Sequence, residues 1–139
     1  MYTDSGDIVE QRRIHTPAGD LTTIMRHSAD MRVCRTVQRL FRSPADYAPL
    51  MAMLAAETFA DNAAEYCALE DRVGTDVLIR SRLGYTPMHQ IMHDFMGLET
   101  FAEEWSHRRE EVLALYKALV GNRKRQFVVV ANSPATVIT

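Results

Sequence analysis

Two histidines four residues apart are the first groups in the sequence with the spacing of catalytic residues. His89 and His93 are separated by Gln-Ile-Met, and two histidines at this spacing bind zinc in the helical hydrolase motif H-E-x-x-H. Here Gln90 occupies the position of the glutamate. Because a neutral amide cannot take a proton from a metal-bound water, zinc-dependent hydrolysis by this route is excluded. The pattern favours histidines on a helix surface or lining a pocket, and no metal is expected.

Two arginines and a threonine precede this pair. Arg80 and Arg82 stand two apart near the end of an apolar run, which places both guanidinium groups on one face of a strand. Arg82 is the better candidate to bind a carboxylate or phosphate, because α/β sheets gather ligand groups at the carboxyl ends of strands. Thr86, followed by proline, is typical of a helix start whose N–H groups can bind the same anion. The alternatives are an ion pair of one arginine with Asp76 or Glu70, and a simple cap at Thr86.

The elements that must position these residues follow from hydrophobic period and turn chemistry. Pro17-Ala18-Gly19-Asp20 lies between two extended runs and predicts a tight turn, while Ser43-Pro44 is typical of a helix start and Gly74 of a helix end. The predicted order is a hairpin over 8–27, a loop with a possible short strand near Cys34, a helical region over 43–73, a strand over 76–83, a helical region over 86–131 and a strand over 135–139. This alternation predicts parallel α/β units in one domain over 1–139.

The helical region after Arg108 carries conflicting signals. Leu113, Tyr116, Leu119 and Val120 have helical spacing and are the predicted core face. Gly121 and the valines at 128–130 argue against an uninterrupted helix, since glycine costs about 1 kcal/mol in a helix interior and valine prefers strands.

Composition excludes several classes of protein. The 139 residues suffice for one domain, and the 47% hydrophobic content supplies a core. A net charge of −2 gives no overall field for nucleic acid or an anionic membrane, and no apolar run is long enough to span a bilayer. The polar start, without a signal-peptide core, predicts a cytoplasmic protein. Cys34 and Cys67 lack the spacing of a disulfide framework or a zinc site.

Several short segments, taken in order, resemble landmarks of the uroporphyrinogen decarboxylase-like family. They are T-P-A-G-D-L-T at 16–22, S-P-A-D-Y at 43–47, G-Y-T-P-M at 84–88, M-G-L-E-T-F at 96–101 and A-N-S-P-A-T-V-I at 131–138. The resemblance covers nearly all of this chain but only about the first half of a family member. It implies a mixed α/β fold that is a partial (β/α)₈ TIM-barrel segment with an N-terminal β-hairpin. The strands at 76–83 and 135–139 would then be barrel strands, and 108–131 one continuous helix.

The resemblance also implies a class of ligand. The decarboxylases hold a polycarboxylated tetrapyrrole between arginines and an aspartate without a cofactor, and those groups cannot be assigned to residues of this chain. A tyrosine that lines the same cleft in the family falls near His93, which is a departure from the family pattern. The related methyltransferases act with corrinoids and use a zinc site in the half of the family not covered here.

The expected function is therefore that of a partial chain whose parent decarboxylates tetrapyrrole carboxylates or takes part in corrinoid-linked methyl transfer. The chain alone is expected to have no turnover, and Arg82, Thr86 and His93 are its predicted substrate-binding residues. One alternative hypothesis is a non-catalytic α/β interaction module that dimerises through an exposed apolar face. Another is a small anion-binding protein centred on Arg82 and the helix start at Thr86.

Overall fold

A computed structural model of the chain describes residues 2–4, 6–30, 32–74 and 77–138. Six strands and five α-helices follow in the order β1 (Tyr2–Asp4), β2 (Asp7–Thr16), β3 (Gly19–His27), β4 (Cys34–Gln38), α1 (Tyr47–Ala56), α2 (Ala63–Val73), β5 (Arg80–Ser81), α3 (Pro87–Gln90), α4 (Leu98–His107), α5 (Arg109–Ala131) and β6 (Val137–Ile138). A 3₁₀ turn precedes α1 at Pro44–Asp46, and a π-helical segment joins α3 to α4 at Ile91–Met96. The predicted mixed α/β class is confirmed.

The first four strands form one antiparallel sheet in the order β1-β2-β3-β4. The predicted hairpin is confirmed, with Thr16 opposite Gly19 and only Pro17 and Ala18 in the turn. The Thr16 hydroxyl donates to the Gly19 carbonyl at 2.6 Å, and Gly19 has φ +135°, a conformation that suits glycine. The short strand near Cys34 is β4.

The first helical region differs from the prediction by one break. The start at Ser43 is confirmed, because the Asp46 carboxylate accepts the N–H groups of Arg42 and Ser43, each at 2.8 Å. The stop at Gly74, with φ +67°, is also confirmed. Residues 57–62 are not helical, so the predicted region 43–73 is two helices, α1 and α2.

The second helical region, predicted over 86–131, is divided at two places. Gly97, with φ +85°, separates the π-helical segment from α4, and Arg108 separates α4 from α5. Beyond Arg108 the helix is continuous through Gly121 and the valines, which confirms the continuous helix that the resemblance implied over 108–131. The local propensity of glycine and valine was not decisive.

The core face predicted for this helix was only partly right. Its buried positions are Val112, Leu115, Leu119 and Asn122, whereas Leu113, Tyr116 and Val120 are half-buried. The packing partner, α1, determines which face of the helix is buried, and helical spacing alone cannot identify that face.

The two short strands β5 and β6 are parallel, with Arg80 opposite Val137 and Ser81 opposite Ile138. The predicted strands 76–83 and 135–139 were therefore too long within the described part of the chain, while Asp76 and Thr139 lie outside it. The described residues close no barrel.

One hydrophobic core joins β3, α1, the π-helical segment and α5. Its buried members are Leu21, Phe41, Leu50, Leu54, Ile91, Phe95, Met96, Leu115 and Leu119. Within the described residues, no helix is both long enough and apolar enough to cross a bilayer.

Candidate functional site

The candidate site begins where the chain leaves β5. Gly84 turns the chain with φ +86°, and the Arg123 guanidinium of α5 donates to the carbonyls of Leu83 and Tyr85. These two hydrogen bonds join backbone groups about 40 residues away in sequence to α5. Arg123 therefore fixes the turn that carries Tyr85 towards α3.

Three rings gather at this turn, and we call Tyr85, His89 and His93 the ring cluster. The rings of Tyr85 and His89 are stacked with centroids 4.4 Å apart, and His93 is tilted against Tyr85 at 4.7 Å. The two imidazoles meet edge to face at 5.7 Å. The predicted proximity of His89 and His93 is thus observed, while sequence reasoning missed Tyr85, although its place in the G-Y-T-P turn was a usable signal.

His93 is the member with the most defined surroundings. Its Nδ1 lies 2.9 Å from Oδ1 of Asp94, and its carbonyl accepts a hydrogen bond of 2.9 Å from Nε of Arg39. When neutral His93 donates through Nδ1 to Asp94, Nε2 keeps its lone pair and can accept a proton or a hydrogen bond. The side chain is 53% exposed and therefore accessible to a ligand. π-Helical turns like the one that carries it are frequent at functional sites.

A cleft of about 270 Å³ lies beside the ring cluster. Its wall is mainly polar and includes Glu57, Tyr85, Gln90, Asp94, Asn122 and Arg123. Tyr85 is shared between the cleft and the ring cluster, and Asp94 connects the cleft with His93. A ligand held in the cleft can therefore contact the edge of the ring cluster.

Asn122 stabilises the far wall of the cleft. Its side-chain amide donates to the Leu54 carbonyl at 2.9 Å and to Oε2 of Glu57 at 2.6 Å, and its oxygen accepts a hydrogen bond from Arg125 at 2.7 Å. These bonds satisfy a buried side chain and connect α5 to the carboxyl end of α1. The sequence signal for this residue was an asparagine on the apolar side of a helix.

The structure places Arg82 away from His93. Arg82 is exposed and lines a separate cleft of about 120 Å³ together with Asn62, Ser81 and Ser133. Arg80 is also exposed, and neither arginine forms an ion pair with any described residue, Glu70 included. The alternative partner Asp76 lies outside the described residues.

Thr86 occupies the N-cap position of α3, as predicted, but its side chain makes no capping hydrogen bond. Its carbonyl accepts the N–H of Gln90 at 2.8 Å, and its side chain is exposed. Within the described part of the chain, no group of three or more His, Cys, Asp or Glu side chains could hold a metal ion.

Comparison with known proteins finds no match, since no family model, no curated protein and no solved structure is significantly similar to this chain. Fold and site together define a mixed α/β protein with a surface of one tyrosine and two imidazoles after a parallel strand. Proposals about its function depend on that geometry and on the sequence motifs.

Proposed function

We propose that the chain is a partial (β/α)₈-barrel segment of the uroporphyrinogen decarboxylase-like family and that it carries part of a tetrapyrrole-binding or corrinoid-binding surface. The parallel pairing of β5 and β6, with helices α3 to α5 between them in sequence, supports the barrel segment. In such barrels, ligands bind at the carboxyl ends of the strands. The ring cluster follows the carboxyl end of β5 directly.

The ring cluster is the observation that carries this proposal. Tyr85 and His89 form a stacked pair whose outer faces and edges can contact a tetrapyrrole or corrin macrocycle. His93 adds an exposed imidazole nitrogen that can donate to a ligand carboxylate when protonated. Arg82 is exposed in a separate cleft, so on this proposal it would contact a different part of a large ligand than the ring cluster does.

The proposed role is binding without turnover. The arginines and the aspartate that hold the substrate in the decarboxylases are not assigned to residues here, so decarboxylation or methyl transfer is proposed for the parent chain alone. No cofactor is proposed for this segment. The cytoplasmic location expected from the sequence stays a prediction.

Porphyrin titration tests the proposal. We expect uroporphyrin to shift its Soret absorbance on binding to the chain, and His93→Ala to raise the Kd about tenfold by removing a ring and a hydrogen-bonding group. His107→Ala is the matched control, because it removes an exposed histidine of α4 whose Nδ1 bonds the Glu103 carbonyl. Cobalamin, titrated in parallel, separates corrinoid from tetrapyrrole recognition. The proposal fails if neither ligand binds to the wild-type chain. It also fails if His93→Ala and His107→Ala have the same Kd for the ligand.

A second candidate is the interaction module that forms a homodimer through an apolar face. Four large apolar side chains are exposed around the β5–β6 unit and the end of α5: Val77 at 55%, Leu78 at 73%, Phe127 at 54% and Val128 at 66%. The edges of β5 and β6 that face away from each other pair with no described strand. Exposed apolar groups beside open strand edges are typical of association surfaces.

Sedimentation velocity tests this candidate. The wild-type chain should form a dimer whose dissociation constant rises about tenfold in Leu78→Ser, because the substitution removes apolar area from the interface. Leu98→Ser is the control, since Leu98 is similarly exposed, at 71%, but lies on α4. A monomer at all concentrations would rule the candidate out.

A further inference from the structure

β4 forms one edge of the four-stranded sheet. It pairs with β3 on one side only, and on the other side the backbone of residues 34–37 makes no hydrogen bond to any described residue. Val33 and Val37 are 52% and 53% exposed along this edge. An open strand edge with exposed apolar side chains can pair with a further extended chain.

Arginines cluster at this edge. Arg35 lies on β4, Arg32 precedes the strand and Arg39 follows it, and the nearest acidic residues in sequence are Asp30 and Asp46, although the whole chain has a net charge of −2. Arg32, Arg35 and Arg42 are exposed and form no ion pair with any described residue. A local positive field on a protein whose net charge is −2 favours a partner of opposite charge at this edge.

Two arginines also face each other across the last strand pair. Arg26 on β3 stands directly opposite Arg35 on β4, and like charges at opposed positions are destabilising. A small cleft of about 140 Å³ is lined by both arginines and by Asp7, Ser28 and Val33. Arg26 already has the Asp7 carboxylate at 4.0 Å, whereas Arg35 forms no ion pair with any described residue, so a carboxylate from a partner would pair with Arg35.

We propose that β4 is a docking edge for an acidic extended peptide, which adds to the sheet as a further strand. Charge complementarity selects this occupant, because a second copy pairing through β4 would bring one arginine-rich edge against another. Residues 32–38 contain no aromatic side chain on which bases of a single-stranded nucleic acid could stack, whereas Val33 and Val37 fit the alternating apolar residues of a peptide strand. This surface is independent of the ring cluster.

Fluorescence anisotropy with labelled peptides of about seven residues tests the proposal. The probe alternates glutamate and valine, and a second peptide replaces every glutamate with lysine. We expect the acidic peptide to bind and the lysine peptide not to bind, with an affinity that falls when NaCl is raised from about 50 to about 300 mM. Methylation of the backbone nitrogens of the acidic peptide should weaken binding about tenfold, because it removes strand hydrogen bonds and keeps every charge.

Charge reversal locates the site. Arg35→Glu should raise the Kd about tenfold, and it should leave folding intact because Glu would then stand opposite Arg26. Lys124→Glu makes the same change in net charge at an exposed position of α5 and should have little effect. The proposal is overturned if both variants lose affinity equally, if the methylated peptide binds as well as its parent, if an oligonucleotide binds more tightly than the acidic peptide, or if the chain self-associates through β4.

Discussion

At the scale of single residues, Glu104 is the clearest case of a role fixed by its neighbours. Its side chain is only 7% exposed, and its carboxylate accepts hydrogen bonds from the Tyr47 hydroxyl at 3.0 Å and from Arg108 at 2.8 Å. A buried carboxylate is tolerated because both of its oxygens are paired. In sequence it is an ordinary acidic residue of an amphipathic helix.

This arrangement predicts a pH dependence of stability. Burial, the hydrogen bond to Glu104 and the negative charges of Glu104 and Glu111 raise the pKa of Tyr47, while Arg108 opposes the shift. The unfolded chain loses this proton near pH 10, whereas the folded chain keeps it to higher pH. The contribution of Tyr47 to stability is therefore complete below about pH 10 and is lost as the pH rises further.

Urea unfolding between about pH 8 and about pH 11 measures this effect. The free energy of unfolding should fall more steeply above about pH 10 in the wild-type chain than in Tyr47→Phe, which lacks the titrating hydroxyl. Glu104→Gln should show an intermediate slope, because the hydrogen bond can remain while the negative charge is gone. Identical slopes for the wild-type chain and Tyr47→Phe would contradict the assignment.

At the scale of elements, Gly97 and Gly121 illustrate two different roles of glycine, a strained backbone conformation at Gly97 and an ordinary helical position at Gly121. Gly97 ends the π-helical segment with φ +85°, and a Cβ there would lie 3.1 Å from Nη1 of Arg39. Gly121 lies within α5, and a Cβ there would meet nothing within 4 Å outside its own helix. The same substitution should therefore have opposite effects at the two positions.

Gly97→Ala should lower the free energy of unfolding by about 1–3 kcal/mol, because alanine rarely adopts this backbone conformation. Gly121→Ala should raise it by about 0.5–1 kcal/mol through improved helix propensity. Denaturant unfolding of the wild-type chain and both variants measures the two changes in the free energy of unfolding, which should have opposite signs. A destabilised Gly121→Ala would show that the helix needs glycine there for packing.

At the scale of the whole molecule, the core and the β5–β6 unit differ in how many buried contacts stabilise them. The buried core draws its members from β3, α1, the π-helical segment, α5 and Phe41, and among the described residues it takes none from β5 or β6. The parallel pair holds only two residues on each strand. Elements with few buried contacts open at low free energy.

Hydrogen exchange should therefore be uneven across the chain. Amides in the β2–β3 ladder, with nine paired positions, should be protected at least about tenfold more than those of β5 and β6. Mass spectrometry of deuterium uptake measures the difference. Equal protection would indicate that β5 and β6 belong to the cooperative core, or that association covers them.

The sequence by itself determined the features that depend on neighbours along the chain. The hairpin around Pro17, the helix start at Ser43 and the stop at Gly74 follow from local turn and capping chemistry, and the order of elements indicated the parallel pair. Gln90 at the glutamate position of the H-E-x-x-H pattern was likewise a sequence argument against zinc-dependent hydrolysis by that route, and it stays a prediction.

Only the tertiary structure decided which distant groups meet. The position of Tyr85 against the histidines depends on Arg123, the burial of Glu104 on Tyr47, and the accessible charge of β4 on a sheet edge left open. The physical reason is the same throughout, since contacts between residues about 40 to 60 positions apart are set by the packing of whole elements, which local patterns do not specify.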